Sequence, residues 1–264
     1  MSFRRLAGIA SVTVAVLVAG CGGSPPAGGE GTGRSSTEPP PTEPPQPLPG
    51  ASTVSGKVSL SGTAPEGRLI RVSNSDPLCM VEGGALRSER VVVGSGNTLQ
   101  NVFLYVKDGL PSDMTFQAPR TPVVLDQVGC RYRPHVFGVQ VGQPVQIVNS
   151  DATLHNVHAV PKVNSEFNFS QAVKGQKDVR VFDKPEVMVP FQCDVHGWMA
   201  SYAGVVAHPF FAVSGSDGTF TIKGLPAGTY TIEAWHEQLG RQAQTVKVDG
   251  TSAATTDFTF MYEE

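Results

Sequence analysis

Phe191-Gln192-Cys193-Asp194-Val195-His196-Gly197-Trp198-Met199 sets a thiol, an imidazole and a thioether at intervals of three residues. Upstream, Asn149-Ser150-Asp151-Ala152-Thr153-Leu154-His155-Asn156-Val157-His158 supplies further imidazoles. One upstream His with Cys, His and Met in a single loop is the donor set of a mononuclear type 1 copper site. A thiolate and two imidazoles form a trigonal plane, and a thioether binds weakly on its axis. Soft sulfur suits Cu(I) and imidazole serves both oxidation states, so the pattern points to electron transfer or copper handling.

Outward from these segments the chain reads as β. Residues 54–60, 99–106, 136–141, 145–148, 219–222, 229–234 and 245–248 alternate in polarity or are rich in β-branched residues. Turn signals separate them: Asp108-Gly109, Gly142-Gln143-Pro144, Ser216-Asp217-Gly218 and Pro226-Ala227-Gly228. No stretch has the period of a long amphipathic helix. The expected class is all-β, with enough ordered chain for two sandwiches.

The N-terminus reads differently. Arg4 and Arg5 precede a short apolar run, and Val18-Ala19-Gly20 lead into Cys21. The run is too short to span a bilayer, which takes about 20 apolar residues. Residues 1–20 are therefore expected to be a signal peptide, with cleavage before Cys21 and lipidation of its thiol as in bacterial lipoproteins. A Pro-, Gly- and Ser-rich tract over residues 21–52 cannot form a core and reads as a tether. With no Asp after Cys21, the sorting pattern favours the outer membrane, placing the chain in the periplasm or at the cell surface.

The formal charge is −3, and loss of Arg4 and Arg5 would make it −5. Without a basic cluster, nucleic acid is not an expected partner. Four cysteines are present. With Cys21 lipidated and Cys193 a ligand, Cys79 and Cys130 remain, and an exported protein favours a disulfide between them. The rival is a second metal site combining Cys130 with His135, or both cysteines with a His.

Over residues 121–207, roughly a third of the chain, the sequence resembles the cupredoxin family, and its amicyanin-like members above all. The His155-Asn156-Val157-His158 string and the two-residue gaps in Cys193-x-x-His196-x-x-Met199 carry the resemblance; plastocyanin-like and azurin-like members have longer ligand loops. The resemblance implies a Greek-key sandwich over residues 119–207 with His155, Cys193, His196 and Met199 as copper ligands. It also implies that the Asn156 amide donates to the Cys193 sulfur and that the His196 imidazole reaches the surface as an electron port. Leu154 stands where Pro is common, and Gly197-Trp198 replaces Pro and a smaller aromatic; both bear on the potential and the docking surface.

The segment from Ser214 to Tyr230, with Val54-Ser55-Gly56-Lys57-Val58-Ser59-Leu60 and Val102-Phe103-Leu104-Tyr105-Val106, resembles the carboxypeptidase regulatory-like (transthyretin-like) sandwich. At its length the C-terminal piece is short for a whole sandwich. The expected arrangement is a discontinuous sandwich from residues 53–118 and 208–264, with the copper domain inserted. Three modules in a row are the competing arrangement.

Strand alternation turns His155 and His158 to opposite sides, which makes His158 a polar contact. His135, His208 and His236 read as structural, Phe167 and Phe169 as core. Multicopper oxidases need several His-x-His pairs, copper nitrite reductases a second His-only site, and a binuclear centre two loop cysteines. This chain has six histidines and one loop cysteine. The expectation is a membrane-anchored, one-electron copper carrier with an unidentified redox protein as partner. The alternative is a copper-handling surface lipoprotein with no electron-transfer role.

Overall fold

The computed structural model describes residues 51–72, 77–79 and 86–263. The expectations for residues 1–20, for Cys21 and for nearly all of the tether lie outside these residues.

The described chain is all-β. β1 (Ser52–Ser61) and β2 (Phe103–Asp108) come first. Next are β3 (Val123–Gln127), β4 (Tyr132–Arg133), β5 (Val136–Gln140), β6 (Pro144–Asn149) and β7 (His155–Ala159). β8 (Phe167–Gln171), β9 (Lys177–Val181), β10 (Glu186–Gln192) and β11 (Ala200–Val206) follow. β12 (Phe211–Val213), β13 (Thr219–Leu225), β14 (Gly228–His236), β15 (Gly240–Val248), β16 (Ala254–Thr255) and β17 (Phe258–Met261) complete the order. Helix among the described residues is confined to three-residue 3-10 turns at Pro77–Cys79 and Ser95–Asn97.

Strands from the two ends of the described chain share sheets. β1 pairs with β13, β16 and β17, and β2 lies between β12 and β14, which also pairs β15. Alternation explains the packing: Val54, Val58 and Leu60 of β1 and Phe220 and Ile222 of β13 point inward. They meet Leu104 and Val106 of β2 and Tyr230, Ile232 and Ala234 of β14 in one apolar core. Each buried Val, Leu, Ile or Phe side chain here contributes about 1.5–3 kcal/mol.

The strands between pair only among themselves, in the orders β5-β11-β10-β7-β8 and β4-β3-β6-β9. Leu125, Val145 and Ile147 from the second sheet pack against Phe137, Val157, Val189, Phe191 and Val205 from the first. Phe167 and Phe169 are half-buried beside this core, with the Arg180 guanidinium over both rings. Residues 123–206 thus form a sandwich lying, in chain order, inside the other.

The two sandwiches are packed face to face. β2 is buried on both sides: Phe103 and Tyr105 turn away from Leu104 and Val106 and meet Val136 and Val206. Two glycines make room. A Cβ on Gly204 would stand 2.3 Å from the Phe103 ring, and one on Gly138 would stand 2.2 Å from Phe211. A strand-interior glycine is costly, and close approach of another element is its compensation. Buried Glu233 accepts from Tyr105 Oη at 2.8 Å and from Lys107 Nζ at 2.6 Å and pairs with Arg241, whose guanidinium donates across the contact to the Val187 carbonyl.

Candidate metal centre

β7 and β11 flank β10 in one sheet, which brings the two histidine segments together. The seven residues from Cys193 to Met199 turn twice in the β10–β11 connection. The His196 amide donates to Cys193 Sγ at 3.3 Å, and the Met199 amide donates to the His196 carbonyl at 2.8 Å. The two turns fall between Cys193 and His196 and between His196 and Met199, matching their three-residue spacing. Across β10, β7 begins with His155 and Asn156.

His155, Cys193 and His196 converge: one donor atom from each lies within 4.8 Å of the others, and all three residues are buried. The two Nδ1 atoms are 3.0 Å apart, and Cys193 Sγ is 3.9 Å from His196 Nδ1. Met199 is buried in the same apolar cluster as Cys193. The Asn156 amide donates to Cys193 Sγ at 3.4 Å, so the sulfur accepts from two backbone amides. The Tyr132 hydroxyl ties β7 to the end of β10 by lying between the carbonyls of Asn156 and Gln192.

Burial resists ionisation of Cys193, but the His155 imidazole and the amides of His196 and Asn156 outweigh it and lower the thiol's pKa. For His155 burial opposes the charged form, yet Asp151 and Cys193 outweigh it and raise the pKa to about 9. Asp151 and Cys193 thus favour positive charge on His155. A thiolate of lowered pKa and two facing imidazole nitrogens fit a copper ion of the soft-sulfur and imidazole type.

Two neighbours of the site carry no motif of their own. Asp151 Oδ2 is 2.9 Å from His155 Nε2 and accepts from the Cys130 amide at 2.8 Å; Oδ1 accepts from the Gly129 amide at 2.8 Å. Buried Asn149 aims it, accepting from the Asp151 amide at 3.0 Å while donating to the carbonyls of Thr153 and Gln171. The only sequence signal for Asp151 is its place four residues before His155.

The second neighbour is the disulfide between Cys79 and Cys130. Cys79 belongs to the connection between β1 and β2, and its sulfur lies 3.7 Å from His196 Nε2. Trp198 closes the other side, its ring 5.1 Å from the His196 ring and its Nε1 donating to the Cys130 carbonyl at 3.0 Å. His196 is 0 % exposed. The expectation that this imidazole reaches the surface is therefore corrected: a covalently tied strap from the other sandwich covers it.

Nor does the rival site with Cys130 and His135 form. Cys130 is oxidised, and His135 lies 2.5 Å from Glu237 and 3.1 Å from the Ala200 carbonyl. His158 faces outward from β7 to Glu166 and Asp194. His208 is held by the Val106 carbonyl, and His236 accepts from the amides of Gln238 and Leu239.

No protein-family model and no curated protein matches this sequence. Among solved structures, one similarity is to a Cu-containing nitrite reductase (NirK) from Thermus scotoductus, at 22% identity and TM-score 0.29 over 37% of this chain. The match spans only a quarter (25%) of that enzyme chain. A purple cupredoxin from Nitrosopumilus maritimus matches at 19% identity and TM-score 0.28, covering 31% of this chain and 98% of its own. An amicyanin mutant in the Cu(I) state matches at 21% identity and TM-score 0.29, covering 39% and 97%.

Proposed function

We propose that this chain is a type 1 copper protein that carries single electrons, with His155, Cys193, His196 and Met199 as its ligands. The supporting observation is the buried meeting of the His155 and His196 Nδ1 atoms, 3.0 Å apart, with the Cys193 sulfur. When bound, copper supplies a one-electron couple between Cu(I) and Cu(II). The chain's residues prepare that couple. Asn156 and His196 donate amides to the sulfur, which disperses thiolate charge and tunes the potential. Asp151 and Asn149 fix the ring of His155, and Trp198 and the disulfide fix that of His196. Sites held this firmly resist rearrangement when the charge changes.

A carrier is favoured over a catalyst because the other four histidines are engaged in carboxylate or backbone contacts elsewhere. The surrounding sandwich is read as carboxypeptidase regulatory-like, an accessory module that positions the copper domain. Lipidation of Cys21 would hold the whole at a membrane, outer membrane favoured, facing a redox protein in the periplasm or at the cell surface. Voltammetry of the copper-loaded protein tests the reading. A reversible one-electron wave with fast exchange supports it; tight copper binding with no reversible wave turns it to copper handling.

A further inference from the structure

The strap that buries His196 closes the route by which a partner would reach that imidazole, yet the donor set needs one. Beside the strap lies a cleft of about 970 Å³ between the sandwiches. Gly197, Trp198 and Met199 of the ligand loop line it on one side, and residues 65–71 and 88–91 of the strap on the other. Trp198 is half-buried there, with its ring against His196. It is a conjugated side chain in contact with both a proposed ligand and the cleft.

The lining of the cleft carries a small excess of positive charge, four arginines against three glutamates. Arg68, Arg71 and Arg90 line it, are exposed, and have no carboxylate partner among the described residues. The acids nearby are largely spoken for: Glu89 pairs with Arg131 and Arg133, and Glu237 with His135 and the Tyr202 hydroxyl. Glu66 is the exception. The chain as a whole is acidic. On the opposite side of the ligand loop, exposed Asp194 and Glu166 flank His158 and would repel an anion.

Resting on the copper reading, we infer that electrons pass through Trp198 at this cleft, and that the partner seated there is a redox protein presenting an acidic surface. With copper held by His155, Cys193, His196 and Met199, each encounter would pass one electron from the partner through Trp198, with no proton or bond exchanged. Like-signed and opposite-signed reagents should then differ in rate, because a charged cleft concentrates counter-charge by 10-fold or more.

Two measurements test this with small complexes as probes. In copper-free protein, hexacyanochromate(III) should broaden the NMR signals of the Trp198 indole and the Gly197 amide, and leave those of His158 and Asn168 sharp. In copper-loaded protein at low salt, stopped-flow reduction by hexacyanoferrate(II) should slow by roughly tenfold in the triple variant Arg68→Glu, Arg71→Glu, Arg90→Glu. Reduction by hexaammineruthenium(II) should quicken, and the triple Arg→Lys variant should keep the parent rates. Broadening centred on the His158 face, or a hexacyanoferrate rate indifferent to charge reversal, overturns the inference while leaving the copper reading intact. Absence of a copper thiolate band overturns both, whatever the anion maps to.

Discussion

Replacing Asp151 by Ala should loosen the metal centre from its least conspicuous side. The carboxylate makes three short contacts, to His155 Nε2, the Cys130 amide and the Gly129 amide. Charge-assisted bonds contribute about 1.5–3 kcal/mol each when the partner is left buried. Gly129 is exposed, so water replaces one of them, and the two buried contacts dominate. Cys130 also holds a left-handed backbone at φ 52°, which a non-glycine residue adopts only at a cost of about 1–3 kcal/mol when its surroundings enforce it. The expected destabilisation of the inner sandwich is about 3–5 kcal/mol. Asp151→Asn should lose about half as much, since it keeps one acceptor for the amides but turns an NH₂ toward His155. Native-state hydrogen exchange of the buried β7 amides reads this sandwich apart from its neighbour. In copper-free protein the effect also has a pH signature. The raised His155 pKa contributes stability fully present below its unfolded value and lost as pH rises through about 9. The deficit of Asp151→Ala should therefore shrink above that pH, and the His155 pKa should fall in the variant. A loss within about 0.5 kcal/mol, the range of an ordinary surface substitution, would refute the bracing role.

Other substitutions probe the remaining parts. Met199→Leu should retain copper and raise the potential by voltammetry, because a weak axial donor to Cu(II) is lost; a lower potential would speak against an axial thioether. Gly204→Ala should cost about 1–3 kcal/mol in urea unfolding through overpacking against Phe103, and Phe103→Leu in the same chain should recover part of it. His236 is held neutral, its pKa lowered by burial to about 4, so its contribution is present above about pH 6.5 and lost as pH falls. The outer sandwich should lose roughly 3 kcal/mol between those values, and His236→Asn should flatten that slope in calorimetry.

What could be read from the chain alone follows the range of the forces involved. Period-two alternation located β1 and β13 because each buries one face, as Val54, Val58, Phe220 and Ile222 show. The loop Cys193 to Met199 was legible because two local turns convert spacing directly into position. The burial of His196 was not. It depends on Cys79, 117 residues away along the chain, and no local pattern says where a disulfide will lie once formed. Asp151 escaped notice for a similar reason: a carboxylate that caps backbone amides shows no periodicity. Gly138 and Gly204 did offer a signal, since glycine inside a strand marks close approach, but the ring that fills the space comes from another sandwich.

The most direct test of the copper centre is titration of the purified chain with Cu(II), followed by visible absorption and alkylation. A single equivalent should produce an intense thiolate charge-transfer band that bleaches with mild reductant and returns on reoxidation. Cys193 should be shielded from alkylation while copper is bound, and Cys193→Ser should remain folded without the band. A colourless adduct with Cys193 still open to alkylation would contradict the type 1 assignment.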